Sequence, residues 1–359
     1  MKTRRILVTG GAGFIGSALV RYILKNTEHT VINIDKLTYA SSCTSINAAP
    51  AGGRYFFEKI DVCHPEAVRQ IFDNYTPDLV IHLAAETHVD RSIRDPWIFL
   101  ETNIRGTCVL LEESVRYLDK ATNLVRSRFK FHHVSTDEVY GDLGTTGGTS
   151  FNEETPYNPS SPYSASKASS DHFVRAWQRT YGLPTVITNC SNNYGPYQFP
   201  EKLIPNTILK ALNGSCIPIY GDGKQIRDWL YVDDHTRALL EVGLKGKIGQ
   251  TFNIGGHNEI PNIDVVKTIC NILDVLKPSK HYNIAKYEEL ITHVEDRPGH
   301  DNRYAIDASK IANELNWSPA ETFNTGIKKT IEWYLENINW CNQIIKNNNQ
   351  SMKLGVKDS

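Results

Sequence analysis

Short apolar runs alternate with longer amphipathic stretches over the first 190 residues. The apolar runs predict strands at Ile6–Thr9, Val31–Asp35, Tyr55–Asp61, Leu79–Ala84, Phe129–Ser135 and Thr185–Cys190. Apolar residues at helical spacing predict helices at Phe14–Lys25, Pro65–Asn74, Trp97–Asp119 and Pro162–Tyr181. This alternation is typical of a parallel sheet covered by helices on both faces, so residues 1–190 are predicted to form an α/β, Rossmann-type doubly wound domain.

The sequence pattern changes after residue 190, where Pro and Gly become frequent and the predicted elements become short. We therefore predict a smaller C-terminal lobe over residues 191–341 that binds the substrate, with some segments that return to the first domain. The polar stretch 342–359, which contains Asn347-Asn348-Asn349-Gln350, predicts a flexible tail.

Composition narrows the class of protein. The chain has 359 residues, of which 40% are hydrophobic, and its net charge of −1 gives no reason to expect nucleic acid or a membrane as partner. No apolar stretch approaches the roughly 20 residues that span a bilayer. The seven cysteines never occur as C-x-x-C, which favours reduced thiols in a cytoplasmic protein. The twelve histidines lack paired ligand spacing, so no metal site is predicted.

The most informative segment is the glycine-rich turn between the first predicted strand and helix. Gly11, Gly13 and Gly16 have the G-x-G-x-x-G spacing, and Gly10, Gly13 and Gly16 are spaced by three. Glycine there permits a tight turn, close approach to a pyrophosphate and close packing of helix on strand. The helix N-terminus offers free N–H groups to the phosphates. This turn predicts a dinucleotide site.

The second predicted strand ends in Asp35, 19 residues after Gly16. An acid there binds the adenosine ribose diol and repels a 2′-phosphate, which favours NAD over NADP, although Lys36 would soften the repulsion. Ligands of a doubly wound sheet gather at the carboxyl ends of its strands. The predicted cofactor-binding residues are Gly10, Gly13, Phe14, Ile15, Gly16, Asp35, Lys36, Leu37, Thr38, Asp61, Val62, Leu83, Ala84, Ala85, Thr87, Thr102, Tyr163, Lys167 and Asn193.

Tyr163 and Lys167 lie four residues apart, on one face of a predicted helix. A phenol is a poor base at neutral pH, but a neighbouring ammonium favours the phenolate. Downstream of a nucleotide fingerprint, this pair predicts proton removal from a sugar hydroxyl while hydride leaves to NAD. The plain alternative is an exposed pair on a helix surface.

Thr136, Asp137 and Glu138 follow the fifth predicted strand. Adjacent carboxylates that leave a strand point in different directions, so they are placed to serve different atoms of one substrate. Thr136 is placed to contact the same hydroxyl as Tyr163. A solvated acidic loop is the alternative for this segment.

Taken with these motifs, further runs resemble the extended short-chain dehydrogenases of the NAD-dependent epimerase/dehydratase family, and most narrowly the branch that dehydrates sugar nucleotides. The resemblance extends from Arg5 to about Tyr334. The further runs are Leu83–Ser92, Asn189–Pro196, Lys202–Pro205, Gly221–Gly223, Arg227–Trp229 and Asp296–His300. One departure is Ser41–Asn47, where the family usually carries a Gly-Asn-Leu-Glu-Asn-Leu type segment.

The resemblance implies dehydration of dTDP-glucose to dTDP-4-keto-6-deoxyglucose. Tyr163 and Lys167 would support transient oxidation at C4, Glu138 would remove the C5 proton, and Asp137 would protonate the departing C6 hydroxyl before hydride returns to C6. It further implies a homodimer, formed through the helices at Trp97–Asp119 and Pro162–Tyr181. The implied substrate-binding residues are Thr87, Thr136, Asn192, Lys202, Leu203, Pro218, Tyr220, Arg227, Asn262, Asp296, Arg297 and His300.

Two alternatives stay open. A UDP-sugar 4-epimerase shares the fingerprint and the Tyr163–Lys167 pair, but it needs no acid and base at C6 and C5, so Asp137 and Glu138 disfavour it. A non-catalytic NAD or nucleotide sensor on the same fold would need neither Tyr163 nor Lys167.

Overall fold

The computed structural model describes residues 3–46, 52–145, 148–279 and 284–354, with side chains through residue 346. Asn47 of the departing segment and residues 355–359 of the predicted tail lie outside the described residues. The strands are β1 Arg5–Thr9, β2 Thr30–Ile34, β3 Tyr55–Glu58, β4 Leu79–His82, β5 Lys130–Thr136, β6 Thr185–Cys190, β7 Asn192–Tyr194, β8 Ile217–Tyr220, β9 Ile226–Tyr231, β10 Thr251–Ile254, β11 Glu259–Pro261 and β12 Ile291–Val294.

The helices alternate with these strands along the chain. They are α1 Phe14–Asn26, α2 Pro65–Tyr75, α3 Val89–Arg94, α4 Trp97–Phe99, α5 Gly106–Lys120, α6 Asn123–Arg128, α7 Pro162–Tyr181, α8 Leu203–Leu212, α9 Val232–Lys245, α10 Asn262–Leu276, α11 Ser309–Leu315, α12 Phe323–Glu336 and α13 Ile338–Leu354. Among the described helices, none is long and apolar enough to cross a membrane.

The central sheet has the strand order β10-β6-β5-β4-β1-β2-β3, and each of its described pairings is parallel. Strands of such a sheet are buried on both faces, so β1 carries the continuous apolar run Ile6–Val8. Helices α1 and α9 contribute to the core on one face, and α2, α5 and α7 to the core on the other. The predicted doubly wound α/β fold is confirmed.

From β1 the sheet continues through β2 and β3 on one side and through β4, β5 and β6 on the other. This reversal of strand order beside β1 opens a crevice at the carboxyl edge of the sheet. The strand ends Thr9, His82, Thr136 and Cys190 lie along this edge, because β1 pairs with β4 and β5 pairs with β6 in parallel register. A second core forms around α8, α10 and α12 with the smaller sheets β11-β9-β7 and β12-β8. Within the segment after residue 190, β10 returns to the central sheet.

The observed structure differs from the predicted elements in several places. Strand β3 ends at Glu58 because its partner β2 ends at Ile34, so Asp61 lies in the following loop. The helix predicted over Trp97–Asp119 is interrupted by a π-helical turn at Leu100–Arg105. Helix α13 extends through most of the stretch that was expected to be a flexible tail, and the flexibility of that stretch stays a prediction.

Candidate active site

A cavity of about 300 Å³ lies at the carboxyl edge of the central sheet, above the crevice. It brings together residues that are far apart in sequence, from the glycine-rich turn to Lys202. Apart from Leu37, each predicted cofactor-binding residue lines this cavity, as do all five predicted catalytic residues. Of the implied substrate-binding residues, the cavity lining includes Thr87, Thr136, Asn192 and Lys202.

The glycine-rich turn fits a pyrophosphate. A Cβ atom on Gly16 would lie 2.1 Å from the carbonyl oxygen of Gly10, so a side chain there would collide with the β1–α1 turn. A Cβ atom on Gly13 would meet only the Gly10 oxygen, at 3.3 Å, and would otherwise occupy the open space of the cavity. Gly16 therefore serves packing, whereas Gly13 leaves room for a ligand at the N-terminus of α1.

The acid at the end of β2 is held in place by backbone N–H groups. Oδ2 of Asp35 accepts from Ala12 at 3.0 Å, and Oδ1 accepts from Leu37 at 2.8 Å and from the Ser41 hydroxyl at 3.1 Å. Burial raises the pKa of Asp35 above its ordinary value, although these hydrogen bonds act in the opposite direction. Leu37 contributes through its backbone, with a left-handed φ of 59°.

Lys36 points toward Asp61 and Thr102 rather than toward its neighbour Asp35. Its ammonium lies 3.6 Å from the carboxylate of Asp61 and donates to the Thr102 hydroxyl at 3.1 Å. The π-helical turn places Thr102 at the cavity and directs Asn103 at Glu86, whose N–H and carbonyl both bond to the Asn103 amide. This turn thus fixes the loop that follows β4.

Tyr163 lies in the first turn of α7, which begins with a reciprocal capping box between Ser161 and Ser164. The ammonium of Lys167 donates to the carbonyl of Val134 at 2.8 Å. Burial raises the pKa of Tyr163 well above its ordinary value, the Glu138 charge raises it further, and a Thr136 hydrogen bond lowers it. In this structure, burial outweighs the stabilisation of the phenolate that was expected from the lysine.

Asp137 and Glu138 begin a 3₁₀ turn directly after β5, and their environments differ. Asp137 is 1% exposed, and its Oδ2 has no hydrogen-bond partner among the described residues. Burial raises the pKa of Asp137 well above its ordinary value, with further increases from the charges of Glu138 and Asp228. Burial also raises the pKa of Glu138, but nearby cations lower it; they are Arg297, Arg227 and Lys202.

Those cations approach the carboxylates from the C-terminal lobe and the loop before α8. Arg227 is buried and donates to the carbonyls of Ile226 and Asp301 at 2.8 and 2.9 Å. Lys202 donates to the carbonyl of Thr87 at 3.2 Å. Nη1 of Arg297 lies 3.4 Å from the Asp90 carboxylate, and its buried Nε has no described partner. Three positive charges thus lie near one end of the catalytic cavity.

Other implied substrate residues lie outside the cavity lining. Leu203 packs against the second core, and the backbone N–H of Asn262 donates to the carbonyl of Gln225. Tyr220 is 41% exposed and its hydroxyl donates to Asp90 at 3.1 Å. The remaining members are Pro218 on β8 and the hydrogen-bonded pair of Asp296 and His300, in which Nδ1 of the ring lies 2.6 Å from a carboxylate oxygen.

Several residues near the reacting groups were not predicted individually. Cys190 ends β6 beside Thr136, and the rule that ligands gather at strand ends would have found it. Asp90 and Asp228 stand inside runs that were quoted for the resemblance, but their partners lie far away in sequence, as Tyr220 does for Asp90. No cluster of three possible metal ligands occurs in the described part of the chain.

The dinucleotide turn, the Tyr163–Lys167 pair and the doubly wound sheet together define an NAD-dependent enzyme of the extended short-chain dehydrogenase class. The family model described as GDP-mannose 4,6 dehydratase matches residues 7–330, so the chain belongs to that family of nucleotide-sugar dehydratases. The chain is 57% identical over 353 residues to the dTDP-glucose 4,6-dehydratase of Neisseria meningitidis serogroup B, covering 98% of this chain and 99% of that protein.

Solved structures agree with this family. The dTDP-glucose 4,6-dehydratase of Bacillus anthracis in complex with NAD matches with a TM-score of 0.82 at 42% identity, covering 95% of this chain and 99% of that one. The Streptomyces venezuelae dTDP-glucose 4,6-dehydratase with NAD and dTDP bound matches with a TM-score of 0.85 at 40% identity, with the same coverage.

Proposed function

We propose that this chain dehydrates dTDP-glucose to dTDP-4-keto-6-deoxyglucose, with NAD as a cofactor that is regenerated in each turnover. The observation that carries the proposal is the pair of adjacent carboxyl groups in unlike environments beside Tyr163. Burial raises the pKa of Asp137 well above its ordinary value, which favours its acid form, whereas three cations counteract the effect of burial on the pKa of Glu138. An elimination of water requires one acid and one base on the same substrate, and this pair supplies both.

The cavity suits NAD. Gly13 leaves open space that we assign to the pyrophosphate, and hydrogen bonds fix the carboxylate of Asp35, which we assign to the adenosine ribose. Lys36 is held by Asp61 and Thr102. When bound, NAD would supply the hydride acceptor and donor, and the positive charge of its oxidised nicotinamide would favour the tyrosinate that acts as base.

The protein's own groups move the protons. Tyr163 removes the proton of the C4 hydroxyl, and Thr136 orients the same oxygen. The resulting ketone acidifies C5, from which Glu138 removes a proton. Asp137 then donates its proton to the C6 hydroxyl, which leaves as water and breaks the C6–O bond. Glu138 returns its proton to C5 as C6 is reduced. Tyr163 then releases the proton of the C4 hydroxyl to solvent and Asp137 regains a proton from solvent, so all three groups end ready for another cycle.

The diphosphate of the substrate meets the positive end of the cavity. Lys202, Arg227 and Arg297 are the cations there, and the side-chain amide of Asn192, which lines the cavity, adds an N–H donor. Charge-assisted hydrogen bonds from such groups to phosphate oxygens are among the strongest in proteins. We assign the other implied substrate residues, from Leu203 to His300, to the nucleotide end of the same site.

Incubation of the purified protein with dTDP-glucose, and in parallel with UDP-glucose, tests the proposal by mass spectrometry without added reductant. Loss of one water from the thymidine sugar is expected. Unchanged mass with conversion to a galactose epimer would show the 4-epimerase instead, and no conversion of either sugar would favour the sensor. Location in the cytoplasm stays a prediction.

We also propose a homodimer formed by the helices around Trp97–Lys120 and α7. Both regions carry exposed apolar side chains that a second copy would cover: Trp97 is 75% exposed, Leu100 40% and Phe173 37%. Light scattering on the wild type is expected to give twice the chain mass, and Trp97→Ser with Leu100→Ser the monomer mass. Val275→Ser, at a residue 79% exposed on α10, is the control. A monomeric wild type would contradict this proposal.

A further inference from the structure

A buried carboxylate lies behind the catalytic pair, on the same helix. Asp171 follows Lys167 by one helical turn, and it is 0% exposed. Its Oδ2 accepts 2.8 Å hydrogen bonds from the hydroxyls of Ser135 and Tyr157, and its Oδ1 lies 3.1 Å from Nε2 of His133. Two hydroxyl donors therefore fix Oδ2 of this carboxylate, which a buried charge requires, and the neutral ring of His133 lies beside Oδ1.

The side chains of Asp171 and Lys167 form hydrogen bonds with consecutive residues of β5. Lys167 donates to the carbonyl of Val134, and Asp171 accepts from the hydroxyl of Ser135. The next residue in the chain is Thr136, where the catalytic turn begins. The two side chains of α7 therefore set the distance between the helix that carries the tyrosine and the strand that carries the acid and base.

Tyr157 extends the network away from the cavity. Its hydroxyl donates to Asp171 and accepts from Nη2 of Arg175 at 2.8 Å. It also accepts from Nδ2 of Asn189 at 3.2 Å, and the same amide nitrogen donates to the carbonyl of Thr136 at 3.3 Å. The backbone of β5 is thus anchored at Thr136 as well.

We propose that Asp171 is a positioning residue for the dehydration: it fixes the end of β5 against α7 and balances the buried charge of Lys167. This inference rests on the proposed function. Asp171 does not line the cavity, so it acts through Lys167 and Ser135 rather than on the substrate.

Among the groups whose charges act on Lys167, Asp171 supplies the negative charge. Burial lowers the pKa of Lys167, the Asp171 charge raises it most, and Cys190 raises it less. Burial raises the pKa of Cys190 to about 12, so this thiol is neutral. Burial lowers the pKa of His133 to about 4 and that of His82 well below its ordinary value, so both rings are neutral near pH 7.

Asp171→Asn removes the charge and keeps the shape. In the holoenzyme with dTDP-glucose, we expect kcat to fall by about ten- to a hundred-fold, because a small misplacement of reacting groups is that costly, with little change in KM. The alkaline limb of the pH profile for reduction of bound NAD should move to lower pH, since Lys167 loses its proton more readily. A uniform loss at every pH, or wild-type kinetics, would overturn the inference.

Tyr157→Phe gives a second test that leaves the charge in place. Loss of the hydrogen bonds that this hydroxyl makes with Asp171, Arg175 and Asn189 is expected to lower kcat by roughly threefold or more without moving the alkaline limb. The matched control is Tyr117→Phe, because the Tyr117 hydroxyl is buried without a partner among the described residues. Equal kinetics of these two variants would contradict the positioning role.

An inactive wild type would overturn the proposed function and this inference together, whereas an active wild type with an unshifted pH profile in Asp171→Asn would overturn this inference alone.

Discussion

The hydroxyl of Tyr39 donates a 3.0 Å hydrogen bond to Oε1 of Glu201, joining the loop after β2 to the loop before α8. The guanidinium of Arg91 lies 3.9 Å from the centre of the Tyr39 ring, and Nε2 of His88 lies 3.7 Å from the second oxygen of Glu201. Because Glu201 lines the cavity while Tyr39 comes four residues after Asp35, this contact ties together two loops at the cavity, and we expect it to help retain bound NAD.

Tyr39→Phe is therefore expected to speed the loss of bound NAD by about three- to tenfold, the net effect of one ordinary hydrogen bond. Release can be followed by gel filtration of the holoenzyme and measurement of the NAD that remains. Tyr75→Phe removes an equivalent tyrosine–glutamate bond, to Glu58, between two residues that do not line the cavity, and should retain NAD as the wild type does. Equal release from both variants would show that the Tyr39 contact does not retain the cofactor.

Two alanine substitutions in the glycine-rich turn should separate binding from folding. Gly16→Ala places a Cβ 2.1 Å from a backbone oxygen and is expected to lower the free energy of unfolding by about 1–3 kcal/mol, as overpacking does. Gly13→Ala meets only one oxygen at 3.3 Å, so the apoprotein should unfold near the wild-type temperature yet bind NAD at least about tenfold more weakly. Calorimetry of unfolding and of NAD binding measures both effects. Wild-type NAD affinity in Gly13→Ala would contradict the assignment.

Variants of the two carboxyl groups should be impaired at different steps of the reaction. Glu138→Gln is expected to permit oxidation at C4 and to accumulate NADH, because the C5 proton stays in place. Asp137→Asn should slow loss of water most when the C6 substituent is a poor leaving group, and an analogue with a better leaving group should recover part of the rate. Absorbance of NADH in a single turnover distinguishes the variants. Wild-type turnover by Glu138→Gln would show that another group removes the C5 proton.

Buried histidines make the fold sensitive to acid. Burial lowers the pKa of His235 to about 3 and that of His133 to about 4, below the value near 6.5 of an unfolded chain. The unfolded state therefore binds more protons below pH 6.5, so stability is complete above that pH and falls toward pH 4. Each such histidine contributes a slope of about 1.4 kcal/mol per pH unit in that window.

Thermal unfolding between pH 7.5 and 5 measures this slope. His235→Gln should flatten it, because glutamine takes up no proton, whereas exposed His293→Gln should follow the wild type. A melting temperature of the wild type that stays constant over this range would contradict neutral burial of these rings.

The sequence predicted the doubly wound sheet and most of the cavity lining because apolar runs mark the strands and strand ends mark the ligand edge. It did not reveal the π-helical turn at Leu100–Arg105, since one extra residue per turn barely disturbs a helical pattern. Nor did it show that Leu37 acts through its N–H, or that Asp90 joins Tyr220 and Arg297, which come 130 and 207 residues later. Such contacts depend on tertiary packing that a local pattern does not encode.

The most direct test of the account uses dTDP-glucose labelled with deuterium at C4, in the absence of added NAD. If oxidation, elimination and reduction occur in one site, the product loses one water and carries the deuterium at C6. Deuterium that remains at C4 of a glucose or galactose sugar, or that disappears into solvent, would contradict the dehydration mechanism proposed for this chain.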